Sequence, residues 1–332
     1  MGERQEAASD APDGRKRGAA GAVVPEEVAS VYAPRAAYVE DPDYKPYDGS
    51  NLSYASSFGD PWSAAVIRMI EWMTGKYTLL KLVREYERTG RPPGVSFWRK
   101  ALDLLEIELL TPEEEIARIP KEGPVVVVAN HPHGLVDGLV LAELVGQVRQ
   151  DFKILTRSLL TNVPEIKWHM LPVSFPHEPD AVRQNLRMRQ EAMTHLEQGG
   201  VVILFPAGQV AASPGWFDDA LEAEWHPFTA KMLLKSRARV VPIRFPGQNS
   251  RWYQIANKIS PVLRQGLLLH EIAHAIGKPQ RPHIGHPLER EEIDRWKSDP
   301  RGFMAWLREH TLALGTGREV PMPAPGAGRR KG

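Results

Sequence analysis

The sequence predicts an α/β protein with a mostly parallel sheet flanked by helices, preceded by a helical region. Two observations carry that expectation. From Gly123 onward, short apolar runs alternate with longer stretches of helical periodicity, the pattern of crossover units in a parallel sheet. Ahead of them, from Asp60 to Thr89, apolar residues recur at helical spacing with no strand between.

Residues 1–50 are rich in Ala, Gly, Glu, Arg and Pro and poor in apolar periodicity, so they read as a disordered segment. Residues 51–120 read as the helical region. Asp60-Pro61 supplies a cap and a first-turn proline, and Trp62, Val66, Ile67, Met69, Ile70 and Met73 form an apolar stripe. Leu79, Leu80, Leu82 and Val83 extend it beyond Gly75, a helix breaker, with Lys76, Lys81 and Arg84 among them. Phe97 to Leu110 reads as a further helix.

Residues 121–316 read as the α/β domain. Strands are expected at Val125 to Ala129, Phe152 to Leu155, Leu171 to Phe175, Val201 to Phe205, Val240 to Phe245 and Arg281 to Ile284. Helices are expected at Leu139 to Val148, Asp180 to Glu197, Pro227 to Ser236, Pro261 to Ile276 and Glu289 to His310. Residues 317–332 form a Pro/Gly/Arg tail, again read as disordered. Ligands of such sheets bind beyond the carboxyl ends of the strands, which is where chemistry is sought.

Composition narrows the function. The 332 residues carry 42 basic and 41 acidic side chains, a balance that argues against a general nucleic-acid binder. The absence of cysteine excludes disulfides, thiol nucleophiles, iron–sulfur clusters and cysteine zinc ligands. Met1 to Pro25 lacks the apolar core of a secretory signal, and the longest uncharged run, Gln198 to Phe217, is broken by Pro206, Pro214 and glycines. A cytoplasmic protein, soluble or peripheral on the inner face of the cell membrane, is expected.

The strand Val125 to Ala129 runs directly into Asn130-His131-Pro132-His133-Gly134-Leu135-Val136-Asp137-Gly138. A histidine held by a carboxylate is a general base, because the carboxylate fixes the ring tautomer and stabilises the imidazolium. No serine or cysteine lies in the segment, so the base would act on a substrate hydroxyl or amine. The plainer reading is that the histidines only finish the strand.

This segment resembles the first motif of the glycerolipid acyltransferases, the lysophosphatidic acid acyltransferase superfamily, whose usual form is His, four residues, Asp. Here His131 and Asp137 have five residues between them, and His133 and Asp137 have three. The form Asn-His-Pro-x-Gly-x-x-Asp-Gly is similar to a bacterial branch of haemolysin-like and lyso-ornithine-lipid acyltransferases. Three later blocks resemble the family in order: Leu204-Phe205-Pro206-Ala207-Gly208-Gln209, Val240-Val241-Pro242-Ile243, and Phe245-Pro246-Gly247-Gln248-Asn249-Ser250-Arg251. The likeness spans roughly Arg68 to Leu288.

The resemblance implies acyl transfer from acyl-CoA or acyl carrier protein to a lysolipid hydroxyl, as part of phospholipid and lipid metabolism, without a cofactor or metal. It implies His131 as base, His133 as its rival and Asp137 as the orienting carboxylate. Asn130, Gly134, Phe205, Pro206, Gly208, Gln209, Asn249 and Arg251 are the implied substrate contacts, with N–H groups near Gly208 or Gly134 for the oxyanion. The family's Glu and Thr near the glycerol phosphate are Ala207 and Gln209 here, and its second-block arginine has no clear equivalent. Arg183, Arg187, Arg244 and Arg251 are candidate headgroup contacts or ordinary surface arginines. A lysolipid substrate requires contact with a membrane surface, and the Trp62 to Val83 stripe either meets it or packs inward as core.

A rival motif is His270-Glu271-Ile272-Ala273-His274-Ala275-Ile276-Gly277, which fits the zinc-peptidase pattern His-Glu-x-x-His-x-x-Gly. Its third ligand would fall at Gln280, a poor donor, with His283, Glu291 or Glu292 as substitutes. It leaves the strand-end motif unexplained. His131, His133 and Asp137 could also begin a metallohydrolase site with His169, His177, His226 or His286. A catalytically inactive binding protein on the same fold is the third alternative.

Overall fold

The computed structural model describes residues 52–156, 163–174 and 180–323, together with Tyr47, Gly49 and Glu178. The expectations for the two chain ends, and for Phe175 and His177, lie wholly or largely outside the described residues.

Helices α1 (Pro61–Thr74), α2 (Lys76–Arg88), α3 (Ser96–Leu104) and the single turn α4 (Glu113–Ile116) precede the sheet. Strand β1 (Val125–Ala129) leads into α5 (Leu135–Gly146), then β2 (Phe152–Thr156), β3 (Met170–Pro172), α6 (Ala181–Glu197), β4 (Val201–Leu204), α7 (Pro227–Lys235) and β5 (Arg239–Arg244). Three helices follow, α8 (Arg251–Ile259), α9 (Pro261–Gly266) and α10 (Leu268–His274), before β6 (His283–Ile284), α11 (Arg290–Asp294) and α12 (Pro300–Ala313).

The sheet order is β3-β2-β4-β1-β5-β6, parallel throughout except for the antiparallel β6. Every residue of β1 is buried, because side chains alternate between two covered faces. Val125, Val127 and Ala129 pack with α5 and with Trp98 of α3, whereas Val126 and Val128 pack with α6, α7 and α12. The result is a three-layer α/β/α architecture. Leu79, Phe97, Trp98 and Leu102 share the first of these cores with β1, so the N-terminal helices and the sheet are packed as one body.

The sequence reading differs from the structure at identifiable places. Pro261 to Ile276 is two helices, with Leu267 between them, because α9 is pressed against α1: a Cβ on Gly266 would lie 3.0 Å from Ile70 Cβ. Glu289 to His310 is also two, since Pro300 disfavours a helical Asp299, whose carboxylate instead caps Gly302 N–H. The helix expected from Phe97 to Leu110 stops at Leu104, with Glu106 at φ 54°. Helix α8 lies in a stretch for which the sequence predicts no element. Gly75 separates α1 from α2 and also admits a close neighbour, as a Cβ there would sit 2.6 Å from the Leu269 carbonyl oxygen of α10.

His169, at the end of a 3₁₀ turn before β3, is fully buried. Its ring stacks on Phe152 at 4.2 Å and its Nδ1–H donates to Phe152 O at 2.8 Å. Burial pulls its pKa down to about 4. The unfolded chain, titrating near 6.5, therefore takes this proton first, so stability falls as pH drops below that value. Between pH 7 and pH 5 the loss from this group is about 2 kcal/mol. In urea titrations at the two pH values, His169→Phe is expected to show a decrease in stability smaller than wild type by that amount.

Candidate active site

β1 lies between β4 and β5, so the segments leaving all three carboxyl ends meet. These are the segments that begin at Asn130, Phe205 and Phe245. Asn130 fastens the first to the third. Its Nδ2 donates to Phe245 O at 2.9 Å, and its Oδ1 accepts from Phe245 N–H at 2.7 Å.

Asp137 occupies the third position of α5 and is fully buried. Its Oδ2 accepts from His131 Nδ1 at 3.0 Å, His133 N–H at 2.8 Å and Gly134 N–H at 3.1 Å, and its Oδ1 accepts from His133 Nδ1 at 3.0 Å. One carboxylate therefore holds both rings. With each Nδ1 donating, each Nε2 keeps a basic lone pair. Burial pushes the Asp137 carboxyl up, but the facing His133 and the bonds from both imidazoles outweigh it and hold the group below its ordinary range. Burial likewise pulls His133 down, and the Asp137 carboxylate reverses this to a net rise.

The two rings differ in what lies beyond them. His131 stacks on Phe205 with centroids 3.9 Å apart and lines a cavity of about 610 Å³. His133 does not line that cavity; its Nε2 lies near Gly247, where a Cβ would be 3.0 Å away. Gly247 has φ 91°, so both backbone and space call for glycine there.

The main chain of His131 is held as well. Its N–H donates to Glu222 Oε2 at 3.1 Å, and its carbonyl accepts from Ala211 N–H at 2.8 Å.

Residues 113–245 match the family model described as Acyltransferase. The match covers less than half of the chain and marks an acyltransferase region within it. The lyso-glycine lipid O-acyltransferase of Phocaeicola vulgatus is 24% identical over 166 residues, 49% of this chain and 56% of that protein. The lyso-glycine lipid O-acyltransferase of Bacteroides thetaiotaomicron is 26% identical over 167 residues, 49% of this chain and 58% of that protein. The matched region thus spans little more than half the length of these curated relatives. The solved 1-acyl-sn-glycerophosphate acyltransferase of Thermotoga maritima aligns with TM-score 0.43 and 16% identity over 80% of this chain and 85% of that one.

Of the site residues that the sequence singles out, His131, Gly134, Phe205, Pro206, Gly208 and Gln209 all line the cavity. Asn130, Asp137 and Asn249 are buried and do not line it. Arg251 is not at the cavity: it is exposed, and its guanidinium donates to Asp218 O. Arg183 is paired with Asp180 and Arg244 donates to Leu314 O, so neither is a cavity cation. The arginines that do line it are Arg189 and Arg264, which the sequence reading passed over. For Arg189 the signal was present, since Asn185, Met188 and Arg189 share one face of α6 at helical spacing. The Gly134 and Gly208 N–H groups are already engaged, by Asp137 Oδ2 and Phe205 O.

The His-Glu-x-x-His helix has a different local role. Glu271 is buried and accepts from Ser250 N–H at 2.7 Å and Ser250 Oγ at 2.5 Å, fixing the start of α8. A carboxylate so occupied is not free to serve a metal-bound water. Among the described residues no three His, Asp or Glu side chains form a metal-holding group.

Replacing Asn130 by Ala removes the partner of two buried main-chain groups of Phe245. The expected cost is about 2–3 kcal/mol, read as a lowered urea midpoint with an unchanged slope.

Proposed function

We propose that this protein moves a fatty acyl group from an acyl thioester, acyl-CoA or acyl carrier protein, to the hydroxyl of a lysolipid, with His131 as general base. The observation that carries this reading is that, of the two rings anchored on Asp137, His131 borders the cavity. The family-model match and the two lyso-glycine lipid relatives support the reaction class and the kind of acceptor.

In this mechanism His131 Nε2 takes the acceptor's hydroxyl proton as the oxygen attacks the thioester carbonyl. The tetrahedral intermediate collapses, the C–S bond breaks, and the imidazolium returns its proton to the departing thiolate. Asp137 holds the Nδ1–H tautomer and offsets the positive charge as it forms. The chain needs no cofactor for these steps. With Gly134 and Gly208 N–H engaged, the oxyanion falls to other groups of the wall, among which Gln209 is a polar candidate. The walls combine apolar Ile154, Leu155, Met170, Met188 and Leu268, suited to acyl chain, with Arg189 and Arg264, suited to an anionic headgroup or donor.

The acceptor resides in a membrane, and α1 and α2 supply a surface for it on the cytoplasmic face, where acyl thioesters circulate. Ala64, Ile67 and Glu71 face inward, while Trp62, Met69, Trp72, Met73 and Tyr77 remain exposed, Trp62 by 78% and Met73 by 77%. Lys81, which is exposed, places Nζ over the Tyr77 ring at 4.5 Å, whereas Lys76, 5.6 Å from the Trp72 ring, is buried. Aromatic and basic groups together suit an anionic lipid surface. Among the described residues no helix is long and apolar enough to cross a membrane.

Radiolabelled acyl-CoA and acyl carrier protein, offered with a panel of lysolipids, test the reaction. His131→Ala is expected to lose at least about 100-fold in rate and His270→Ala to remain active. Loss in the His270 variant with activity kept in the His131 variant would overturn the proposal. Flotation with anionic vesicles tests the surface: wild type is expected to float and Trp62→Ala/Met73→Ala to stay with the soluble fraction. Equal flotation of the two proteins would sink the assignment of this surface.

A further inference from the structure

Glu222 lies in the connection between β4 and α7, 91 residues from His131, and no motif marks it. It is nonetheless buried against the proposed base. Oε2 accepts from the His131 N–H at 3.1 Å, and Oε1 accepts from Trp225 Nε1–H at 3.0 Å. The main chain bearing it is also pinned, because Arg308 of α12 donates to Glu222 O and Ala223 O. Two residues of the same connection, Ala212 and Leu221, bridge each other, and neighbouring Ala211 holds the His131 carbonyl. The connection therefore grips the His131 peptide from both sides.

We propose that Glu222 is a positioning residue of this site and its second carboxylate: it seats His131 in the cavity wall and stabilises the imidazolium formed during transfer. The proposal rests on the reading of His131 as base. Asp137 acts at the ring; Glu222 acts at the peptide, and its charge is close enough to interact with the ring. The charged and titratable groups around it are His131 and Asp137 from the turn after β1, and Arg308, paired with Glu309, from α12. Burial pushes the Glu222 carboxyl up, opposed by the bonds from His131 and Trp225. A buried carboxylate beside Asp137 is costly unless it compensates a positive charge, and His131 supplies one only when protonated.

A structural clamp alone would move neither a pKa nor a turnover number at unchanged substrate affinity. The test is therefore Glu222→Gln, nearly identical in shape but neutral, read in two ways. NMR titration of the His131 ring, which needs no turnover, is expected to differ from wild type, moving to lower pH once the negative charge is removed. Acyl transfer is expected to lose about 10-fold in kcat, with KM for donor and acceptor within about 2-fold of wild type. Coincident ring titrations, or wild-type kcat in E222Q, overturn the proposal. Wild-type protein that transfers no acyl group while the ring titration still moves would count against the acyltransferase reading and leave the Glu222–His131 coupling standing. Glu222→Asp, which keeps the charge but draws it back from the peptide, covers the case in which E222Q does not fold: kcat is expected between the two, and a wild-type value overturns the positioning role.

Discussion

Everything at the mouth of this sheet depends on one buried carboxylate. Asp137 has no solvent to stabilise its charge, and a carboxylate removed from water without partners is severely penalised. Four donors meet that requirement: two imidazole nitrogens and two main-chain N–H groups, all within the segment His131 to Gly134. The turn after β1 thus takes its shape around the charge. The altered spacing relative to the usual His, four residues, Asp pattern has a physical account in this arrangement. An extra residue lets the chain present one ring to each carboxylate oxygen, and Pro132 between the histidines carries no N–H that would need a partner of its own.

Sharing a counter-charge couples the two histidines. Asp137 carries one negative charge, so it can balance one imidazolium well and two poorly. His133, faced by Gly247 and held at Nδ1, is the ring whose pKa the carboxylate raises. A proton resident on His133 would spend the charge that the proposed base needs when it takes up its own. The second ring is therefore an electrostatic competitor as well as a neighbour, and Glu222, bonded to the His131 N–H, is placed to relieve that competition.

Much of this was legible in the sequence, for local reasons. The apolar run Val125 to Ala129 announces a strand covered on both faces, and the His/Asp segment follows it within one turn. The later blocks sit where they do because β4 and β5 flank β1, an arrangement that the block order suggests but cannot specify. What escaped was non-local. Nothing near Glu222 signals that its carboxylate reaches the His131 peptide, and nothing near Arg251 signals that its guanidinium turns to a loop carbonyl and leaves the cavity. The helix ends at Gly266 and Asp299 escaped because tertiary packing and a proline overrode a continuous apolar period. The His-Glu-x-x-His match failed in the same way: spacing put two histidines on one helix face, but Ser250, distant in sequence, had already claimed the glutamate.

The Asn130 bridge to Phe245 has a consequence for how the protein is made. The two residues are 115 positions apart, so on a ribosome adding roughly 5–20 residues per second Asn130 waits roughly 6–23 s for its partner. During that interval β1, apolar throughout, has exited without the strand that belongs beside it, and its edge is open to pairing with other chains. Synthesis of this protein therefore includes a period of exposure to aggregation, which ends when β5 docks and the segments of the site close together.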